Sequence, residues 1–281
     1  MISVENIGEV RGFRLARSIL GRAMYYTAAY WVDGLMVDTG CFHSVTDLVS
    51  ALEELRVDRV VNTHSHEDHT GANAAISTKF GAEILAHPLA IPVLATPRKQ
   101  KHLNPYQIVM WGYPEPSSAS PIPETIQTPH HTFNVIPTPG HSPDHICLYE
   151  PREGWLFGGD TYIGGRDRAL RDDYNVWQII GSLKTLSKLD VGLIFTGSGN
   201  VRTKGGAALK EKIDYLERIA GQALELHRKG LSYGRIRRTL FGRESRIAYV
   251  TLGHFTGKHL VRSLIEDRPL SSESDKGARG A

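Results

Sequence analysis

Thr63-His64-Ser65-His66-Glu67-Asp68-His69-Thr70-Gly71 is the stretch from which this chain is best read. It follows Asp58-Arg59-Val60-Val61-Asn62, which reads as a short buried strand. It precedes a helical pattern over residues 72 to 80 that Gly81 stops. His64 and His66 are two apart, so on extended chain they point the same way and can grip one ion. Asp68 and His69 sit where the chain turns into the helix and can face a second point nearby. Imidazole plus carboxylate is the ligand set of zinc and similar first-row ions. Three histidines and an aspartate within six residues are costly to bury without a metal. The alternative, a solvated polar loop, leaves that concentration of ligand types without a reason.

Working outward, strands and helices alternate. Residues 10 to 38 read as strands, with 25 to 32 rich in aromatics and β-formers and Asp33-Gly34 a hairpin turn signal. Residues 44 to 55 read as a helix and 83 to 86 as a strand. Further on, 133 to 136, 146 to 150, 155 to 157 and 191 to 196 read as strands, and 176 to 189 as a helix. This alternation indicates an α/β layer architecture. Residues 97 to 123 break the rhythm, because six of the 14 prolines fall there, with Trp111 and Tyr113 between them. A long irregular insert of this kind reads as a lid or pocket wall, which makes Trp111 and Tyr113 candidate substrate-pocket residues. From residue 207 the pattern is helical: 207 to 229, 233 to 241 and about 257 to 266. The last residues are rich in Ser, Gly and charge and read as disordered.

Two more segments suit the same site. Pro139-Gly140-His141-Ser142-Pro143-Asp144-His145 is a tight turn opening on a histidine, and Phe157-Gly158-Gly159-Asp160-Thr161 ends a strand with an aspartate in a Gly-rich corner. Each is weak alone. With Asp38-Thr39-Gly40, His64-x-His66-x-Asp68-His69, Gly140-His141 and Gly159-Asp160 in this order, the chain resembles the metallo-β-lactamase superfamily of hydrolases over about residues 10 to 200. The resemblance implies an α/β fold, the αββα four-layer sandwich, with a two-metal site at one edge. It implies a catalytic domain over residues 1 to 205 that contains the 97–123 insert. Residues 206 to 268 would be a helical C-terminal extension packed on it, and 269 to 281 a tail. Carried over residue by residue, His64, His66 and His141 would hold the first metal, Asp68 and His69 the second, and Asp160 would bridge them. Asp38 resembles the superfamily's outer carboxylate, which orients ligands. The expected cofactor is Zn2+ at two sites, with Fe or Mn as alternatives.

One departure stands out. Where the superfamily usually supplies a histidine to the second metal, this chain has Thr196-Gly197-Ser198-Gly199-Asn200. Ser198 stands at the expected position, and a neutral hydroxyl is a poor ligand, so the second site should be the weaker. His254, flanked by Gly253 and Gly257, is the candidate substitute, either as a metal ligand or as a substrate contact. His145 reads as a packed histidine, His130 and His131 as surface residues and His87 as structural.

Composition bounds the rest. The chain has 281 residues, of which 41% are hydrophobic and 22% charged, which are ordinary globular values. A net charge of +3 is too small to imply nucleic acid as a partner. Two cysteines make no disulfide framework, no run is long and apolar enough for a membrane span, and the N-terminus lacks a signal-peptide pattern. The reading is a cytoplasmic enzyme acting on a small molecule, without membrane partners; a homodimer is compatible with it. Two cations about 3.5–4 Å apart lower the pKa of a shared water from ~15.7 toward ~7. The resulting metal-bound hydroxide would cleave an ester-type bond, with thioester or lactone favoured. Asp68 would steer the nucleophile or carry a proton, and Tyr162 would donate to the oxyanion. A nuclease or phosphodiesterase is the alternative, suggested by the basic stretch from Leu231 to Arg238. A ligand-binding protein with reduced catalysis is the third reading.

Overall fold

A computed structural model describes residues 1–269. The first of two large sheets contains, in spatial order, Ile2–Ile7, Val10–Leu15, Thr27–Val32, Leu35–Val37, Arg59–Val61, Glu83–Ala86 and Ser120–Pro121. The second contains Thr125–Gln127, Thr132–Pro137, Ile146–Glu150, Trp155–Gly159, Leu193–Thr196 and Val201–Thr203. The central strands are buried along their whole length, as Ile146–Glu150 and Trp155–Gly159 show. Such strands read as continuous apolar runs because both faces are covered.

Three apolar layers follow from this. Between the sheets lie Tyr30, Val37, Val61, Phe133, Leu148, Phe157 and Phe195, with Phe157 stacked on Phe195 at 4.7 Å. Outside the first sheet, Leu48 and Ile76 of the helices Val45–Ala51 and Asn73–Phe80, with the C-cap residue Leu52, pack on Phe13, Met36, Val60 and Ile84. Outside the second, Val176–Leu186, Gly205–Arg228, Tyr233–Phe241 and Gly257–Glu266 share one apolar cluster with Leu156 and Ile194. The result is the metallo-β-lactamase fold, αββα, with C-terminal helices that complete the outer layer.

Local chemistry explains much of the detail. Asp33 and Gly34 have φ of +49° and +85°, the conformation a tight two-residue hairpin requires. Gly81 caps its helix at φ +70°. The insert at 97 to 123 is more regular than its prolines suggest. It holds the helices Pro97–Gln100 and Pro105–Met110 and ends in Ser120–Pro121, which pairs parallel with Glu83–Ala86. Pro97 and Pro105 start helices, where a missing N–H breaks no intrahelical bond. Asn104 and Gln107 close a capping box on the second of these helices. Elements not foreseen include the edge strand Ile2–Ile7, the helices Ile91–Ala95 and Arg246–Val250, the strands Thr125–Gln127 and Val201–Thr203, and a ribbon pairing Leu170–Arg171 with Phe255–Thr256. Apart from residue 269, the expected tail lies outside the described residues.

The site-bearing loops follow Leu35–Val37, Arg59–Val61, Thr132–Pro137, Trp155–Gly159 and Leu193–Thr196, so all five gather at one edge of the sandwich.

Candidate metal centre

Asp38 organises this edge. It follows its strand at φ +59°, a left-handed conformation that Asp tolerates, and is buried. Oδ1 accepts the Thr63 N–H at 2.7 Å, and Oδ2 accepts the Thr63 hydroxyl at 2.8 Å. Oδ2 also takes the His69 Nδ1–H at 2.7 Å, which leaves Nε2 as the ring nitrogen that faces Asp68 and Asp160. The metal-site loop lies backbone to backbone on its neighbour: a Cβ at Gly71 would fall 2.2 Å from the Cys41 carbonyl carbon. Only glycine permits that approach.

His64 Nε2 and His141 Nε2 each lie 2.9 Å from His66 Nδ1. Two ligand sets result: His64 with His66 and His141, and His64 with His69 and Asp160. Asp160 spans them, with Oδ1 3.5 Å from His69 Nε2 and Oδ2 3.5 Å from His141 Nε2. Asp68 flanks the second set, 3.8 Å from His69 Nε2, while His64 takes the place in that set where Asp68 was expected.

The donors suit a divalent first-row cation. Burial holds His64 and His66 well below the ordinary histidine range, and His141 down to about 3, so three neutral imidazoles converge with lone pairs to offer. Burial lifts the Asp68 carboxyl to about 7 against the pull of His69. Burial alone would depress His69, but the carboxylates of Asp38, Asp160 and Asp68 overcome it and raise it. Without metal the second set therefore retains protons that an ion must displace.

These shifts have a consequence in acid. The folded pKa of His141, about 3, and that of His145, about 4, lie below the unfolded value near ~6.5. Such groups contribute stability that is complete above ~6.5 and is lost as pH falls. Each removes about 1.4 kcal/mol per unit over that window. His64 and His66 act in the same direction, and the raised His69 and Asp68 oppose them. Urea unfolding of the metal-free protein should show lower stability at pH 4.5 than at pH 7; equal midpoints would refute the assignment of these rings as neutral.

The turn at 196 to 200 differs from expectation. The Ser198 hydroxyl is used inside the turn, 3.0 Å from Thr196 Oγ1 and 3.1 Å from Asn200 Nδ2. The position aimed at the centre is Gly197, where a Cβ would lie 2.2 Å from Asp160 Oδ1 and 2.7 Å from His69 Cε1. There is no room for a side chain there. Ser198→Ala should leave metal stoichiometry unchanged by elemental analysis, and loss of one equivalent would restore Ser198 to the site.

Several other expected residues take different places. Tyr162 turns away from the centre into the apolar cluster beneath the C-terminal helices, beside a separate cavity with Arg166, Lys212 and Tyr215. Tyr174, unremarked in the sequence, occupies the site instead, its hydroxyl 3.3 Å from His141 Nε2 and its ring 4.3 Å from that imidazole. His145 is more than packing: Nε2 accepts the Asp160 N–H at 3.0 Å, and Nδ1 meets the Thr138 and Thr161 hydroxyls at 2.8 and 3.0 Å. His131 is buried between Glu150 and Glu9, 3.4 and 3.2 Å away, and is not a surface residue.

A cavity of about 700 Å³ opens beside the metal sets, lined by His66, His141, Lys101, Leu103, Arg171 and His254 among others. His254 belongs to neither ligand set. Its Nδ1 accepts from the Tyr106 hydroxyl at 2.6 Å and from Asn104 Nδ2 at 3.3 Å, clasping the insert to the C-terminal region. Trp111 and Tyr113 do not line this cavity. Trp111 packs with Cys41 and Tyr106, and Tyr113 hydrogen-bonds the backbone at Leu103 and Lys101. Other insert residues, Lys101, Leu103, Asn104 and Gln107, form the wall.

A helix-flanked double sheet with a histidine–aspartate centre at the strand-end edge defines a class, the αββα metallohydrolases. The sequence profile described as the metallo-beta-lactamase superfamily matches residues 25–198, and the chain belongs to that superfamily. It is 28% identical over 173 residues to a hydroxyacylglutathione hydrolase of Rhizobium johnstonii, covering 61% of this chain and 59% of that one. It is 29% identical over 191 residues to a Beta-lactamase-like protein 2 homolog of Caenorhabditis elegans, covering 65% and 57%. It is 23% identical over 204 residues to an atrochrysone carboxyl ACP thioesterase of Aspergillus fumigatus, covering 71% and 58%. The chain thus spans less than two thirds of the length of these relatives. Among solved structures, a metallo-beta-lactamase family protein from Thermus thermophilus aligns with TM-score 0.63 and 19% identity over 86% of this chain and 91% of its own. No helix among the described residues is long and apolar enough to cross a membrane.

Proposed function

We propose that this protein is a zinc-dependent thioester hydrolase acting on a small molecule. The observation that carries the reading is the cavity of about 700 Å³ whose wall includes two histidines of the first ligand set, His66 and His141. The relatives named hydroxyacylglutathione hydrolase and thioesterase supply the bond type. Divalent zinc bound at these sets would supply Lewis acidity and lower the pKa of water. His64, His66 and His141 would hold one ion, and His69 and Asp160, beside His64, would hold the second. Asp38 keeps the His69 ring in place through its Nδ1–H. Asp68, at the edge of the second set, moves the proton from the attacking water to the departing thiolate. Burial keeps Tyr174 protonated, and its hydroxyl donates to the acyl oxygen beside His141.

The test is a substrate panel on the zinc-loaded protein: acyl thioesters, lactones of matched chain length, a phosphodiester and RNA. Thioester kcat/KM should exceed that for lactones by about tenfold or more, with no RNA cleavage. Preferential lactone turnover, RNA cleavage, or tight ligand binding without turnover would each replace the reading.

A further inference from the structure

We propose that the turn at residues 247 to 252 seats this protein on an anionic lipid surface. The inference stands apart from the thioesterase reading. In the short helix Arg246–Val250 and the turn after it, Ala248 and Thr251 face inward. Tyr249 is 72% exposed, Val250 53% and Leu252 82%, with Ile247 beside them at 37%. Leu252 also has φ +51°, in the left-handed region where helix ends ordinarily place glycine. A leucine there strains the backbone, and at that exposure it adds nothing to the core. Neither local conformation nor packing accounts for it, whereas a surface that takes up its side chain would.

The flanking charge is one-sided. Residues 233 to 257 contain five arginines and one glutamate, Glu244. That glutamate is engaged: Oε2 lies 3.4 Å from Arg237 Nε, and Oε1 accepts the Gly257 N–H at 3.0 Å. Arg237 also donates to the Gly242 carbonyl at 2.7 Å, which folds the loop after the helix Tyr233–Phe241 back against it. Arg235, Arg238, Arg243 and Arg246 are exposed, and their guanidinium groups make no hydrogen bond or ion pair among the described residues. Of the acids that face this segment from outside, Asp173 is held by Arg171, and Glu266 by Tyr233 and Arg262. Asp172 and Glu67 lie toward His254, at the far end of the turn.

Free guanidinium groups beside bare aromatic and aliphatic side chains suit a membrane interface, with the arginines on headgroup phosphates and the apolar residues among the upper acyl carbons. Exposures this high mean that the side chains stand off the surface, and a lipid layer accepts such a projection without a matching hollow. A two-fold dimer through the turn would set arginine against arginine. Nucleic acid would meet the arginines but offers nothing to Val250 and Leu252. Peripheral seating needs no spanning helix. His254, two residues past Leu252, lines the cavity of about 700 Å³, so the seated protein would hold the cavity beside the lipid.

The experiment is vesicle cosedimentation of the full chain, with phosphatidylcholine alone and with about 30 mol% phosphatidylglycerol added. The partition coefficient should be about tenfold or more higher on the mixed vesicles and should fall as salt rises. Arg243→Gln combined with Arg246→Gln should lower it about 10- to 30-fold. Leu252→Gly should lower it about tenfold, and because glycine suits φ +51° the variant should melt close to native protein. Val4→Ser, which removes an exposed apolar side chain from the edge strand Ile2–Ile7, should leave partition unchanged. No preference for anionic vesicles, or partition unmoved by either the arginine pair or Leu252→Gly, overturns the inference. So does a native dimer in sedimentation velocity that Leu252→Gly dissociates while vesicles stay unbound.

Discussion

His66→Ala protein is expected to fold, to hold no metal at the first set, and to lose hydrolysis by on the order of a thousandfold or more in kcat/KM. The reason is geometric. His66 Nδ1 is the atom 2.9 Å from both His64 Nε2 and His141 Nε2, so its removal leaves two imidazoles where three converge. The remaining nitrogens cannot close a three-ligand site. Elemental analysis and a chelator-dependent melting temperature check this together. Native protein should melt lower after chelation, because an ion that binds only the folded state stabilises it, and the variant should not respond. Full metal content in the variant would remove His66 from the centre.

The second large effect is at Asp38. Its carboxylate is buried and accepts three hydrogen bonds, two from Thr63 and one from His69. Asp38→Ala leaves these donors unpaired in the interior and should lower stability by about 3–5 kcal/mol. Asp38→Asn is the sharper probe. Its amide can still accept the Thr63 N–H, but it offers an N–H where His69 Nδ1 needs an acceptor, so the imidazole loses its preferred tautomer. The asparagine variant should fold and yet bind the second metal about 10- to 100-fold more weakly, with the first set intact. A metal titration with two unchanged steps would show that Asp38 serves the fold and not the ligand.

Much of this was legible because it is local. His64-x-His66-x-Asp68-His69 needs only a strand end and a turn to gather its ligands, and both were written in the flanking residues. Asp33-Gly34 specified its hairpin, and Gly81 its helix end, through the backbone conformations those residues favour. The C-terminal helices at Tyr233–Phe241 and Gly257–Glu266 followed from apolar periodicity.

What the chain alone could not determine is where side chains point once a strand has lost its register. Between Phe157 and Gly159 the pairing with Leu193–Thr196 slips, and a slip of one residue sends each following side chain to the opposite face. The strand ends at Gly159 and the chain turns at residues 160 and 161, so strand alternation does not carry from Asp160 to Tyr162, which belongs to the outer core. The same limit applied at the 196–200 turn, where Gly197 faces the carboxylate and Ser198 bonds within the loop. Lys101, Arg171 and Tyr174 share no spacing with the metal motif. Lys101 and Arg171 reach the cavity because prolines start short helices in the insert and because Leu170–Arg171 pairs with Phe255–Thr256, more than eighty residues along the chain. By itself the sequence determined the ligand types, the turn chemistry and the layer pattern, since these depend on neighbours in the chain. The tertiary structure alone decided which second residues complete the site and what shape of cavity they enclose, since contacts between distant segments leave no periodic trace in either one.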